Sequence, residues 1–297
     1  MKTMLAIAVV TTFASLLAQD RVATLVTQVR TALGGEQKLA AVKAISAEGP
    51  SRRALGTRSV ESNVTLLLVR PDKLRRSEES TFFGSTSERI STLDGAQAWD
   101  ETVNAARVGG GGGGGGDHDH GAGGFAGAFA GADHNHADGF QGRASAESGG
   151  AGGALTAEQK DAARVRRMKM ELQRWTVAFL ADSHQPFSDA GRAESPDGPA
   201  DVLETKDEAG RAVRYFIDPA SHMPLMVQYQ EVRAQSRVPS KTSTVAMHLS
   251  GYKKVDGVML PHQIDISIDG RASEAWSIDT FKVNPKVKAN AFQKPAK

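Results

Sequence analysis

The sequence predicts an α+β fold, in which amphipathic helices pack on a large antiparallel sheet and one insert is disordered. Three observations predict this class. Apolar residues recur at helical spacing in two segments, and short β-rich segments separated by Asp-Gly turns make up most of the remainder. A tract of glycine, alanine, aspartate, histidine and serine interrupts this pattern at about residues 108–155, and a tract of that composition buries too little surface to fold.

The first eighteen residues differ in composition from the rest of the chain. Lys2 is their only charge, and an apolar run of fifteen residues ends at Ala18. Because a membrane-spanning helix needs roughly 20 apolar residues, this pattern favours a secretory signal peptide over residues 1–18, cleaved after Ala18 or nearer Ala14. A buried N-terminal helix is the alternative. We expect the mature chain, residues 19–297, to be one exported, soluble, periplasmic domain without a later transmembrane segment.

Charge and cysteine content exclude several classes of function. The formal net charge is +2, and 36 basic residues are interleaved with 34 acidic ones, which gives no basic patch for nucleic acid. The chain has no cysteine, so it contains no disulfide, no thiol nucleophile and no lipid-modified cysteine. A chain of 297 residues is long enough for its core alone to hold it together.

Two segments have the apolar spacing of amphipathic helices. The apolar positions of the first helix are Val22, Leu25, Val26, Val29 and Leu33. In the second segment, Thr156 and Gln159 have the spacing of a capping box, which predicts the start of a helix that ends near Ala181. The apolar stripe of this second helix consists of Val165, Met168, Leu172, Trp175 and Phe179. A polar loop is expected from there to about Pro199.

Strand patterns occur before the insert and after the second helix. VESNVTLLLVRP is β-rich, and ERISTLDGAQAWDE contains a hairpin signal at Asp94-Gly95. Asp256-Gly257 and Asp269-Gly270 are further turn signals between C-terminal strands. Short connections and one buried face predict an antiparallel meander. Because strands lie on both sides of the insert, both halves are expected to share one sheet, with the insert as a loop excursion.

The insert contains the densest histidine pattern of the chain. Its two His-x-His pairs are His118, His120, His134 and His136. On an extended chain each pair presents two imidazoles to one side, an arrangement that Zn²⁺ or Cu²⁺ accepts. A glycine-rich chain supplies no outer groups that orient the rings. Two interpretations therefore stay open: a weak, adaptable metal chelator, or a solvated low-complexity loop.

The sequence contains none of the common catalytic motifs. HExxH, GxSxG and GxxxxGK[ST] are absent, and Asp182-Ser183-His184 joins triad residue types that rarely face one another as sequence neighbours. We therefore expect neither enzymatic activity nor a cofactor. Trp99, Trp175 and Trp276 fall on apolar faces of predicted elements, where they either pack in the core or line a hydrophobic pocket.

Four stretches in order resemble the periplasmic lipoprotein-carrier proteins, the LolA/LolB-like superfamily. They are VTLLLVRPDKLRR, ERISTLDGAQAWDE, RAVRYFIDPASHMPLMVQYQ and LSGYKKVDGVMLPHQIDISIDG. In that family a strand ends in Arg-Pro, and the following hairpin carries an Asp-Gly turn and then Trp. The resemblance covers about residues 20–105 and 160–295, with the insert outside it.

The resemblance implies a strongly curved antiparallel sheet, an incomplete β-barrel, which helices close around a cavity for acyl chains. It implies that Arg70 contacts the groups that hold the covering helix, and that Leu74 and Trp99 face the cavity. Trp175 is a further candidate for the cavity lining. The chain departs from the family at Arg76, where an aromatic residue is common.

The sequence therefore predicts an exported soluble carrier or binding protein that sequesters the acyl chains of a lipid or lipoprotein, without covalent chemistry. Burial of methylenes, about 0.8 kcal/mol each, drives binding in this hypothesis. The expected partners are a lipid or an acylated lipoprotein, with an envelope membrane protein as a further partner. The alternative is an exported metal-binding or scaffolding protein that acts through its His/Gly-rich loop.

Overall fold

The fold is seen in a computed structural model, which describes residues 20–56, 58–82, 85–104, 156–195, 198–233 and 241–294. The expected signal peptide over residues 1–18 lies outside these ranges, and so does the whole insert over residues 108–155. The cleavage, the disorder of the insert and the division of the chain into one domain remain predictions.

Three helices lie in the described chain: α1 (residues 20–32), α2 (Glu36–Ala41) and α3 (Ala157–Leu180). α1 and α3 are the two predicted helices, and their predicted apolar stripes are buried or pack against the core. The capping box of α3 is confirmed, because Gln159 N–H donates to Thr156 Oγ1 at 3.2 Å and Thr156 N–H donates to Gln159 Oε1 at 2.9 Å. None of the helices in the described ranges is long and apolar enough to cross a membrane.

Thirteen strands form one antiparallel sheet in the described chain. They are β1 (Ala44–Leu55), β2 (Arg58–Val69), β3 (Lys73–Phe82), β4 (Ser85–Asp94), β5 (Gln97–Asn104), β6 (Ser188–Ser195), β7 (Gly198–Lys206), β8 (Ala212–Ile217), β9 (Pro224–Arg233), β10 (Lys241–Val255), β11 (Val258–Ile268), β12 (Arg271–Ser277) and β13 (Thr280–Val283). Their order is β5-β4-β3-β2-β1-β12-β11-β10-β9-β8-β7-β6, with β13 beside β1. Strands from both sides of the insert thus share one large antiparallel sheet, and a few helices accompany it. Among the described strands the sheet is not closed, and β5 and β6 are its edges.

The Asp-Gly turns lie where the sequence predicts them. Asp256 and Gly257, between β10 and β11, have φ angles of 49° and 87°. Asp269 and Gly270, between β11 and β12, have φ angles of 49° and 76°. Two consecutive residues with positive φ are typical of the tight type I′ hairpin, which aspartate and glycine tolerate.

Strand β6 corrects the expectation of a polar loop from Ala181 to about Pro199. Its sequence, SDAGRAES, has no apolar alternation, and its pairing with β7 is irregular between Asp189 and Arg192. An edge strand is held by backbone hydrogen bonds to one neighbour and needs no apolar face. Hydrophobic periodicity therefore cannot reveal it.

The two halves of the sheet meet at β1. β13 pairs with its first part, Ile45–Glu48, and β12 pairs with Ser51–Arg53. Between these parts, a Cβ on Gly49 would lie 2.0 Å from the carbonyl oxygen of Ser277. Only glycine permits this close approach of two backbones.

The core lies between α1, α3 and one face of the sheet. Its fully buried side chains include Leu33 directly after α1, Trp175 and Phe179 of α3, and Leu74 and Trp276 of the sheet. Successive strand residues point to opposite faces, so Leu74 and Trp276 identify the face that the helices cover. We call it the inner face.

Candidate functional site

Helix α3 lies on the inner face and separates it from solvent. Its buried residues run from Met168 to Leu180, whereas its first turn is exposed. It contacts β3, β4 and β5 in one part of the sheet and β8, β9 and β11 in the other. Any ligand of the inner face must therefore displace or pass this helix.

An aromatic cluster fills the space beneath the second half of α3. The ring centroid of Trp175 lies 5.2 Å from that of Phe179 and 5.7 Å from that of Trp276. Phe179 packs edge-on against Phe281 of β13, with 5.6 Å between centroids. The indole N–H of Trp276 donates to the carbonyl of Gly49 at 3.1 Å. Such aromatic pairs contribute about 0.5–1.5 kcal/mol beyond area burial, so they fix α3 over the junction at β1.

Arg70 binds the chain just beyond the carboxyl end of α3. It follows β2, and its guanidinium forms an ion pair with the carboxylate of Asp182. It also donates to the carbonyl of Val42 at 3.4 Å. The contact with polar and backbone groups that the resemblance implies for Arg70 is present in this geometry.

Arg30 of α1 binds the same end of α3. Its Nη1 donates to the carbonyls of Leu180 and Ala181, at 3.2 Å each. Its Nη2 donates to the Glu36 carboxylate at 2.9 Å, and this hydrogen bonding lowers the pKa of Glu36. Positive charge is favourable at the carbonyl end of a helix. We call Arg30, Arg70 and Asp182 the α3 clamp.

Two clefts flank the segment over residues 182–185, which follows α3. The first has a volume of about 510 Å³, and its lining includes both clamp arginines, Val26 and Phe187. The second has a volume of about 390 Å³, and its lining includes Leu172 and Lys206. Both clefts are open to solvent and mix polar with apolar groups, so neither is an enclosed acyl cavity.

A network of five charged side chains lies on the inner face beneath the middle of α3. Arg76 of β3 donates to Glu78 at 2.7 Å and to Glu274 of β12 at 2.8 Å. Its Nη1 lies 3.5 Å from the carboxylate of Glu171 on α3. Arg53 of β1 donates to Glu78 and Glu274 at 3.0 and 3.1 Å. We call these five residues the inner network.

Two carboxylates of the inner network, those of Glu78 and Glu274, are held in their charged form. Burial disfavours the charge on Glu274, but the charges of Arg76 and Arg53 outweigh burial and lower its pKa to about 2. The same balance lowers the pKa of Glu78. Burial opposes the charge on Arg76 as well, yet its three glutamate partners raise its pKa. Arg76, Glu78 and Glu274 therefore stay ionised at neutral pH.

Further contacts attach α3 to both parts of the sheet. Arg164 and Arg167 donate to the carboxylate of Asp100 on β5, at 3.0 and 2.9 Å. The guanidinium carbon of Arg174 lies 3.4 Å from the ring centroid of Tyr229 on β9. These contacts are polar or cation–π interactions on the rim of the inner face.

Three of the four residues predicted to line a cavity lie on the α3 side of the sheet. Arg70 belongs to the clamp, and Leu74 and Trp175 are buried between α3 and the inner face. Leu74 and Trp175 pack in the core cluster, so a ligand reaches them only if α3 moves. Their role as cavity lining remains a prediction.

Trp99 lies on the opposite face of β5. Its neighbours Ala98 and Asp100 point towards α3, since Ala98 packs on the core and Asp100 binds Arg167. Alternation along the strand therefore directs Trp99 away from α3. Its indole N–H donates to Glu101 at 2.6 Å. This position differs from the cavity-facing one that the resemblance implies.

The residues considered for catalysis do not converge. Asp182 binds Arg70, the hydroxyls of Ser183 and Thr205 share a hydrogen bond of 3.0 Å, and His184 is exposed. No group of three or more His, Asp or Glu side chains is suited to a metal ion within the ranges that the structure describes. The metal candidates His118, His120, His134 and His136 lie outside those ranges and remain a prediction.

Sequence reasoning missed the inner network and two of the three clamp residues. Leu74, Arg76 and Glu78 alternate along one strand, so the burial of Leu74 already indicates two charges on the inner face. Arg30 and Asp182 have no comparable signal. Arg30 reaches the end of α3, and Asp182 reaches Arg70, only through packing between segments far apart in the sequence.

No protein-family model matches the chain, and no curated protein sequence matches it. Among solved structures, the chain is similar to a LolA superfamily protein from Nitrosomonas europaea, with a TM-score of 0.47 and 8% identity over 92% of this chain and 97% of that chain. It is also similar to a DUF1329 family protein from Desulfovibrio piger, with a TM-score of 0.44 and 7% identity over 92% of this chain and 97% of that chain. A LolA superfamily protein is thus among the solved structures that this chain resembles, as the sequence predicts.

Proposed function

We propose that this protein is an exported carrier that sequesters acyl chains of lipid or lipoprotein between its inner face and α3, without covalent chemistry. One observation carries the proposal: α3 covers an apolar sheet face, and the polar clamp of Arg30, Arg70 and Asp182 holds its end. Polar contacts at a solvent-open cleft can exchange for contacts with water or ligand. Release of the clamp uncovers the apolar face that an acyl chain requires.

The contacts of α3 support a strongly curved sheet, the incomplete barrel of the proposal. Within one turn of α3, Glu171 lies by Arg76 of β3 and Arg174 lies over Tyr229 of β9. These strands are six steps apart in the strand order. Six steps of about 4.8 Å span roughly 29 Å in a flat sheet, whereas a helix with its side chains is about 10–12 Å wide. Both contacts require the sheet to wrap around α3.

An acyl chain can replace the apolar contacts that α3 gives up on opening. α3 buries seven side chains, Trp175 and Phe179 among them. Burial of a large apolar side chain is worth about 1.5–3 kcal/mol, and a chain of about 14 methylenes gains about 11 kcal/mol. The two terms are of comparable size. Without a ligand, nothing replaces the apolar contacts of α3, so the helix stays on the inner face.

In this proposal the protein works in the periplasm, and its partner is a lipid or an acylated lipoprotein that it exchanges with an envelope membrane protein. The order of the Arg-Pro strand end, the Asp-Gly hairpins and the C-terminal strands supports this assignment by resemblance to lipoprotein carriers. The transfer needs no bond to be made or broken. Specificity then depends on which groups replace α3 and its clamp.

A reversible cross-link tests whether movement of α3 admits acyl chains. The natural chain has no cysteine. We place cysteines by Asp100→Cys and Arg167→Cys, whose native side chains meet at 2.9 Å between β5 and α3. A short bismaleimide with a reductant-cleavable spacer joins the two, and native mass spectrometry measures uptake of a synthetic diacylated peptide. The control pair is Arg52→Cys with Glu61→Cys, which joins only β1 and β2.

We expect a one-to-one adduct in the control protein, none in the cross-linked protein, and recovery of the adduct after the spacer is cleaved. The same peptide without acyl chains is expected to bind to neither protein. Equal uptake by the cross-linked and control proteins, or no uptake of the diacylated peptide by either, contradicts the proposed function.

A further inference from the structure

The α3 clamp is built around an anion that belongs to the chain itself. The guanidinium of Arg70 binds the Asp182 carboxylate, which lies two residues beyond the last residue of α3. Arg30 donates to two carbonyls at the same helix end, where the backbone carries partial negative charge. In each of these contacts, a guanidinium N–H group thus donates to a negative or partly negative oxygen at this end of α3.

The cleft at the clamp joins these charges to the core. The same opening of about 510 Å³ is lined by Arg30 and Arg70 and by the apolar side chains of Val26 and Phe187. Phe187 stacks on Tyr215, with 6.5 Å between ring centroids. The Tyr215 hydroxyl is buried and has no hydrogen-bond partner among the described residues. The cleft therefore places two cations beside an apolar wall, and this wall continues into the core through the ring of Tyr215.

We propose that this cleft binds the anionic head group, a carboxylate or a phosphate, of the amphiphile whose acyl chain enters beneath α3, and that this anion replaces Asp182 on Arg70. The inference rests on the proposed function for the acyl chain and adds the class of head group. A guanidinium binds carboxylate and phosphate oxygens in the same forked geometry, so the ligand anion and Asp182 compete for one partner.

Arg30 is positioned to remain in place when α3 leaves. Its Nη2 is held by Glu36 at 2.9 Å, and both residues lie outside α3. Its Nη1, which donates to Leu180 and Ala181 in the closed state, loses both acceptors when the helix end moves away. An anion in the cleft supplies the acceptor that this N–H group then lacks.

The exchange couples recognition of the head group to opening. A neutral amphiphile has to break the Arg70–Asp182 pair and leaves Arg70 without a counter-ion. An anionic amphiphile breaks the same pair and replaces it. The anion therefore binds more tightly than a neutral ligand of equal chain length, and the exchange on Arg70 supplies the larger part of the difference.

Equilibrium binding of four amphiphiles of equal chain length tests this inference. They are a fatty acid, an alkyl phosphate, the methyl ester of the fatty acid and an alkyl trimethylammonium ion. Binding of each amphiphile is measured by displacement of a fluorescent acyl probe, at amphiphile concentrations below the critical micelle concentration. The proteins compared are the full chain, Arg70→Gln, Asp182→Asn and the control Arg214→Gln. The control removes an exposed arginine that pairs with Glu204 at 3.1 Å, away from the cleft.

We expect both anions to bind about 10- to 100-fold more tightly than the ester, the effect of one charge-assisted hydrogen bond. Arg70→Gln strongly reduces this preference, whereas Arg214→Gln retains it. Asp182→Asn strengthens the binding of all ligands and keeps the preference, because the competing carboxylate is gone while Arg70 remains. If only one of the two anions shows the preference, it identifies the head group.

Two results separate the inference from the proposed function. If the full chain binds anions and ester equally, and Arg70→Gln changes both affinities by the same factor, the anion site is overturned. The proposed acyl-carrier function is then unaffected. Failure of every amphiphile, including the ester, to bind overturns both.

Discussion

Removal of the arginine at the centre of the inner network has a calculable cost. Arg76→Met keeps a side chain of similar length and removes the guanidinium that lies 2.7 Å from Glu78 and 2.8 Å from Glu274. The side chains of Arg76 and Glu274 are only 12% and 9% exposed, so water replaces little of the lost interaction. Loss of one partner from a buried ion pair costs about 3–5 kcal/mol. Arg53 still binds both glutamates, which places the expected loss of unfolding free energy at about 3 kcal/mol.

The pH dependence of this loss has a definite sign. The pKa of Glu274 is lowered to about 2 in the folded chain, against about 4.3 when unfolded. A group with a lowered pKa contributes stability above its unfolded pKa, and this contribution is lost as the pH falls through the folded value. For Glu274 it amounts to about 3 kcal/mol near neutrality. In Arg76→Met, burial remains and one attraction is gone, so the pKa of Glu274 rises and this contribution shrinks.

Urea unfolding followed by tryptophan fluorescence measures both effects, at about pH 7 and at about pH 3. The deficit of Arg76→Met relative to the natural chain is expected to be larger at the higher pH. The control is Arg52→Met, which breaks the exposed pair with Glu61 at 3.2 Å and is expected to cost less than about 0.5 kcal/mol. A deficit of Arg76→Met no larger than that of the control, or equal at both pH values, refutes the reasoning.

Four further substitutions test individual parts of the structure. Thr156→Ala removes the cap of α3 and is expected to cost about 1 kcal/mol in thermal unfolding, and an unchanged melting temperature argues against the capping box. Gly49→Ala places a Cβ within 2.0 Å of a backbone oxygen and is expected to lower the unfolding free energy by at least about 2 kcal/mol, so a silent substitution would show that the junction at β1 is looser than described. Trp175→Ala is expected to cost about 3–5 kcal/mol and to alter acyl-peptide binding. Trp99→Phe, on the other face, is expected to change the acyl-peptide Kd by less than about twofold, and a tenfold effect would place Trp99 in the ligand path.

Local sequence signals were sufficient for most of the fold. The capping box at Thr156, the apolar stripe of α3 and the turns at Asp256 and Asp269 each depend on neighbours within a few residues, and each is found where it was predicted. The edge strand β6 was missed because it has no buried face to produce a periodic pattern.

The candidate site was harder to predict because long-range packing assembles it. Arg70 was found only through the resemblance, and its partner Asp182 was weighed as a triad member instead. Arg76 was noted as a departure from the family, but its partners lie on two distant elements, at Glu274 and Glu171. Burial of a charge is decided by such partners, and a single strand does not show them.

The central claim is that α3 moves off the inner face when an acyl chain binds. Spin labels at Arg166→Cys, on an exposed position of α3, and Arg214→Cys, on an exposed position of β8, report the distance between helix and sheet by pulsed electron resonance. We predict one narrow distance distribution in the free protein and a shift to longer distances with a diacylated peptide, but not with the same peptide lacking acyl chains. An unchanged distribution in protein that has demonstrably bound the diacylated peptide would contradict the account.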